Sequence, residues 1–98
     1  MANICDNELR VYTESPENIT AITRFFNEKF PHCSIDDVRD DSMIIYFESK
    51  WDFPKSAMED LIKSIPDKEN ISMDCLSVEW GNLYCAFHSF EVNKWVIA

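Results

Sequence analysis

Leu9 and Val11 alternate with Arg10 and Tyr12, the two-residue period of a half-buried strand running over about residues 5 to 13. Ser15-Pro16 then supplies an N-cap and a proline at the first helical position. From there Ile19, Ile22, Phe26 and Phe30 recur at spacings of three and four, so one apolar stripe predicts a helix that Pro31 ends. Cys33 to Val38 is polar for a strand. Arg39-Asp40-Asp41-Ser42 is turn-like, however, and leads into the apolar run Met43-Ile44-Ile45-Tyr46-Phe47, so a hairpin across residues 34 to 49 is the economical reading. Asp52-Phe53-Pro54 resembles a helix start, and Ala57, Met58, Leu61, Ile62 and Ile65 share one face of a second helix that stops at Pro66.

Residues 71 to 80 and 83 to 90 are two further strand-like runs, joined by Gly81-Asn82. A two-residue link of this kind is a hairpin turn in which glycine can take a positive φ. That turn pairs Trp80 with Leu83, Glu79 with Tyr84 and Cys75 with His88. Residues 91 to 98 add a short edge strand through Trp95 and Ile97. The order β-α-β-β-α-β plus a C-terminal hairpin strand predicts a ferredoxin-like α+β fold, an antiparallel sheet with both helices on one face.

Ninety-eight residues allow one domain, and a hydrophobic share of 46% gives it a core without metal or disulfide support. Four cysteines without a secretory signal read as reduced thiols. The N-terminal Met1 to Asp6 has neither a cationic stretch nor an apolar run, and the longest apolar stretch is too short to span a bilayer, so the expected location is the cytoplasm, off the membrane. Eighteen acidic against nine basic side chains leave a charge of −9, which repels phosphate backbones and favours a basic partner.

The opening Asn3-Ile4-Cys5-Asp6-Asn7-Glu8-Leu9-Arg10-Val11 resembles the N-W-C-x-N-x-L-x-V start of the YubB-type ferredoxin-like domains, plasmid and phage proteins of unknown function. Phe47 to Pro54 is similar to that family's T-x-W-x-P-P segment, and Val78 to Phe87 to its Y-x-E-x-G-x-x-F-x-G hairpin. The resemblance implies the fold and a mobile-element setting, with host interaction or anti-defence work as its biological context. It brings no catalytic residues.

The chemistry visible in the chain is sparse. Cys75 opposite His88 could be soft metal ligands or a nucleophile and its base, but no C-x-x-C or H-x-x-x-H spacing, third orienting group or oxyanion donor accompanies them. A single glycine rules out a Gly-rich phosphate loop. Asp36, Asp37, Asp40 and Asp41 crowd a hairpin tip without the glycine and later glutamate of a calcium loop, and read as a solvated charge cluster. No catalytic residue, metal site or cofactor is expected.

Parity instead points to a surface. Leu9, Val11, Ile45 and Phe47 are expected inside, with Arg10, Tyr12, Ile44, Tyr46 and Glu48 outside. Leu76, Val78, Trp80, Leu83, Cys85 and Phe87 form the more apolar face of the last hairpin and are expected under the helices. Met73, Cys75, Ser77, Glu79, Tyr84, Ala86, His88 and Phe90 are then expected on the open face, where all three tyrosines meet. Tyr12, Tyr46, Tyr84, His88 and Phe90 are thus the candidate partner-binding residues, with Asp36, Asp37, Asp40 and Asp41 beside them. RNA-recognition modules also stack bases on such a face, but here only Arg10 falls on it to hold a phosphate, so no nucleic-acid binding is expected. Two readings result: a non-catalytic module that binds a protein partner or a second copy through the open face, or an acidic decoy that blocks a basic nucleic-acid-binding host protein.

Overall fold

The computed structural model describes residues 4–36, 38–81, 84–91 and 94–97; Asn3, Asp37, Asn82 and Leu83, all used in the sequence reading, lie outside them. Eight elements follow in order: β1 (Ile4–Tyr12), α1 (Pro16–Lys29), β2 (Ser34–Asp36), β3 (Ser42–Lys50), α2 (Lys55–Ser64), β4 (Ser72–Glu79), β5 (Tyr84–Glu91) and β6 (Lys94–Ile97). The strands form one antiparallel sheet in the order β2-β3-β1-β4-β5-β6.

Local chemistry explains both helices. The Ser15 hydroxyl accepts the Asn18 N–H at 3.3 Å and Pro16 opens α1, while Pro31 follows its end and cannot continue it. Ile22, Phe25 and Phe26 are buried along this helix, with Ile19 and Phe30 packed at the margin. α2 starts at Lys55 behind Pro54 with no side-chain cap, and buries Met58, Leu61 and Ile62 before Ile65 and Pro66 end it. Buried residues of both helices join Leu9, Val11, Met43, Ile45, Phe47, Met73 and Cys75 in one core cluster. Burial of each large member contributes about 1.5–3 kcal/mol.

Register decides which side of each strand this core receives. Leu9 lies opposite Ile45 on β3 and Cys75 on β4; Val11 lies opposite Met43 and Met73. Residues directly opposite share a face, so the inward set on β4 is Met73, Cys75, Ser77 and Glu79. The β4–β5 pairing matches the expected one, with Glu79 opposite Tyr84 and Cys75 opposite His88. The face assignment of this hairpin is reversed, however. Tyr84, Ala86, His88 and Phe90 lie on the core side, and Leu76, Val78, Cys85 and Phe87 lie on the open side. Pairing with β1 sets this side: Leu9 and Val11 take Cys75 and Met73 opposite them, which turns Asp74, Leu76 and Val78 to the open face and leaves Glu79 buried on the core side. Strands β1 and β3 follow the expected parity.

The turn departs from expectation too. No glycine among the described residues has a positive φ. The Gly81 N–H donates to Glu79 Oε1 at 2.6 Å. The positive φ instead belongs to Trp51, at 73°, where β3 ends.

Two buried asparagines tie distant segments of the chain together. Asn18 Nδ2 reaches the carbonyls of Asp67 at 2.8 Å and Asn70 at 3.3 Å and the Thr13 hydroxyl at 3.1 Å, while its Oδ1 accepts the Asp67 N–H at 2.9 Å. It thereby anchors the segment that leads into β4. Asn7 bridges three strands: Nδ2 donates to the Phe47 carbonyl at 3.3 Å and Ser49 Oγ at 3.0 Å, and Oδ1 accepts from Ser77 Oγ at 2.7 Å.

Candidate functional site

One face of the sheet carries the core; on the other, no described residue is buried. This open face has an ordered composition. One row across the strands runs Tyr46, Glu8, Leu76, Phe87, and the next runs Glu48, Asp6, Val78, Cys85. In these two rows the carboxylates therefore lie on β3 and β1 and the apolar groups on β4 and β5. Tyr12 is 53% exposed, Tyr46 41%, Phe87 38%, and Trp80 at the end of β4 71%. A third row places Ile44, Arg10, Asp74, Ser89 and Val96 side by side.

The electrostatics of the face follow from this layout. Arg10 Nη2 contacts Glu8 Oε2 at 2.7 Å, and this hydrogen bond holds the guanidinium above its ordinary pKa. Asp74 is partly buried between neighbours, which pushes its carboxyl up, with Arg10 pulling the other way. Asp6 and Glu48 stand directly opposite each other on β1 and β3, both exposed. Like charges in that relation are destabilising. Among the described residues the only ion pair is Arg10–Glu8, so neither carboxylate of this pair is neutralised by a cation.

The candidate residues divide between the two faces. Tyr12 and Tyr46 lie on the open face as expected. Tyr84, His88 and Phe90 do not, which corrects the placement of all three tyrosines on one surface. Tyr84 Oη accepts the Phe53 N–H at 3.4 Å, His88 stacks on the Phe53 ring with centroids 3.7 Å apart, and Phe90 meets Trp95 edge-on. Trp95, whose indole N–H donates to the Met58 carbonyl at 3.1 Å, packs on the α2 side and leaves the open face uncovered. Asp36 sits on the open side of the edge strand β2; Asp40 and Asp41 are exposed in the turn before β3. Asp37 lies outside the described residues.

Sequence reasoning missed Leu76, Val78, Cys85 and Phe87 as surface residues because it ranked the two faces of the hairpin by apolarity. No signal within β4 alone identifies them, because each of its faces carries a carboxylate, Asp74 on one and the buried Glu79 on the other; the pairing of Leu9 and Val11 with Cys75 and Met73 decides.

The Cys75–His88 pair stands opposite in register but is not arranged as a nucleophile and base. Burial pushes the Cys75 thiol up to about 12, and its sulfur lies 3.8 Å from the Ser77 hydroxyl. His88 is buried with no hydrogen-bond partner for Nδ1, and burial lowers its pKa. All four cysteines are free thiols. Among the described residues no group of three or more His, Cys, Asp or Glu side chains could hold a metal, and no helix is long and apolar enough to cross a membrane. In comparisons with family models, curated proteins and solved structures, nothing matches this chain.

Proposed function

We propose that this protein is a non-catalytic interaction module that docks a protein partner on its open sheet face, in the cytoplasm and off the membrane. The observation that carries the reading is the apolar column of half-buried Leu76 and Val78 and exposed Cys85 and Phe87, continued by exposed Trp80, on a face from which both the helices and Trp95 are absent. Contiguous apolar surface bordered by polar residues marks an interaction site in a soluble domain. A protein partner suits it better than a second copy, because two molecules of charge −9 meeting face to face would bring their carboxylate rows together. Nucleic acid suits it least: the cation in the middle of the face, Arg10, is already engaged by Glu8.

The strand order also supports a ferredoxin-like β-α-β-β-α-β unit formed by β1 to β4 and the two helices, extended at the β4 edge by β5 and β6. On this proposal, kinship with the YubB-type plasmid and phage domains would make the partner a host protein, and a decoy role against a basic nucleic-acid-binding host protein is one form that such docking could take. The polar residues of the resembling segments support a structural role: Cys5 and Asn7 bond each other and their neighbours inside the sheet.

Site-specific photo-crosslinking tests the reading. A photoreactive phenylalanine analogue at position 87 should give one dominant protein adduct in cell extract, reproduced with the purified partner, while the same analogue at Arg24 on α1 should give none. Adducts formed equally from both positions, or only from α1, would overturn it.

A further inference from the structure

Resting on the open-face reading, we infer that the partner presents a cationic amphipathic segment, with apolar side chains on Val78 and Phe87 and lysine or arginine side chains on the Asp6–Glu48 pair. Two features of the face select this occupant together. The apolar half, on β4 and β5, gains by leaving water and has no charge preference of its own. The acidic half is frustrated: Asp6 and Glu48 face each other across β1 and β3 with no cation bound to either among the described residues. A ligand cation placed between them removes a repulsion that the free protein carries, so its gain exceeds that of a cation beside one carboxylate. Asp6 and Val78 are also direct register partners, as are Val78 and Cys85, so the acidic and apolar halves adjoin along one row. A segment with basic and apolar sides fits that row; an acidic or purely apolar segment would leave the carboxylate pair opposed or desolvated.

The edges of the sheet argue against the alternative of strand addition. Its outer strands β2 and β6 are three and four residues long, and Asp36 and Lys94 sit on them. Short, charged edges discourage a further strand, so the occupant lies across the face.

The test uses the full chain and synthetic helix-forming peptides: lysine–leucine amphipathic, glutamate–leucine amphipathic, and lysine–serine with no apolar side. Binding is read by calorimetry at low salt and at severalfold higher salt. The lysine–leucine peptide should bind, weaken as salt rises, and outcompete both others. The double variant Asp6→Asn/Glu48→Gln should lose about tenfold in affinity, the combined effect of two exposed ion pairs, and should melt higher than the parent because its repulsion is gone. A merely structural role for the pair would not raise the melting temperature while lowering affinity. Val78→Asp should abolish binding with the fold retained, as judged by circular dichroism. If Val78→Asp abolishes binding and the double variant does not weaken it, the face docks a partner but the cationic inference is wrong. If no face variant affects a peptide that binds, the open-face reading itself fails. Equal binding of the lysine–serine peptide would mean a diffuse charge effect and would likewise overturn the inference.

Discussion

Replacing Asn18 by alanine should destabilise the protein by about 2–3 kcal/mol, more than truncating any other polar residue of α1. The side chain is fully buried near the start of the helix and serves four contacts across sequence separations of five to fifty-two residues. An amide nitrogen carries two hydrogens, so two of the three Nδ2 contacts must share one of them. The short pair to the Asp67 carbonyl at 2.8 Å and from the Asp67 N–H at 2.9 Å are the ones that count in full. Each neutral hydrogen bond contributes about 0.5–1.5 kcal/mol net, and the cavity left by the amide adds to the loss. Water at the exposed Asp67 loop returns part of it, which keeps the total below the sum. Against a stability of about 5–15 kcal/mol for a domain this size, urea unfolding should show a clearly lower midpoint with an unchanged slope. Asn18→Asp separates hydrogen bonding from cavity formation. It keeps an acceptor for the Asp67 N–H but turns a carboxylate toward two carbonyls, so it should be worse than alanine at pH 7 and recover toward pH 4 as it gains a proton to donate. A midpoint for Asn18→Ala within about 0.5 kcal/mol of the parent, or an Asn18→Asp variant indifferent to pH, would refute the role of this residue as the anchor of the β4 approach.

His88 should make stability depend on pH: its pKa is lowered by burial, so the folded state prefers the neutral ring, stability is complete above the unfolded value of about 6.5, and it declines as pH falls below that. The urea midpoint of the parent should fall relative to that of His88→Phe from pH 7 to pH 5; a constant difference would contradict it. Gly81→Ala should change stability by less than about 0.5 kcal/mol, because no positive φ is required and the N–H to Glu79 is kept; a loss above about 1 kcal/mol in thermal unfolding would show that the glycine is conformationally needed. Trp51→Asn should be neutral or stabilising by up to about 1 kcal/mol, since asparagine tolerates the left-handed region that tryptophan is held in at φ 73°. A thiol reagent should label exposed Cys85 first in the native protein and reach Cys5 and Cys75 only on unfolding, because both are buried with raised pKa values.

The elements were legible in the sequence because each carries its own punctuation: Ser15-Pro16 and Pro31 bracket α1, Pro66 closes α2, and the Gly81-Asn82 link set the β4–β5 register. The sheet face of that hairpin was not legible from apolarity. Both faces are rich in large side chains, and pairing with β1 decides between them: Leu9 and Val11 choose Cys75 and Met73. Polar anchors such as Asn18 were equally hidden, since their partners at Asp67 and Asn70 are distant in sequence and become neighbours only once the layers pack. The candidate surface was therefore half found. Tyr12 and Tyr46 were placed correctly, and the apolar column that makes the face a docking site had been assigned to the core.

Amide chemical-shift mapping during titration with the lysine–leucine peptide tests the docking face most directly. The account predicts that perturbed amides cluster at Asp6 and Glu8 on β1, Leu76 and Val78 on β4 and Phe87 on β5, with Thr20 and Arg24 on α1 and Glu59 on α2 unmoved. Shifts confined to the outer surfaces of α1 and α2, with the open face silent, would contradict it.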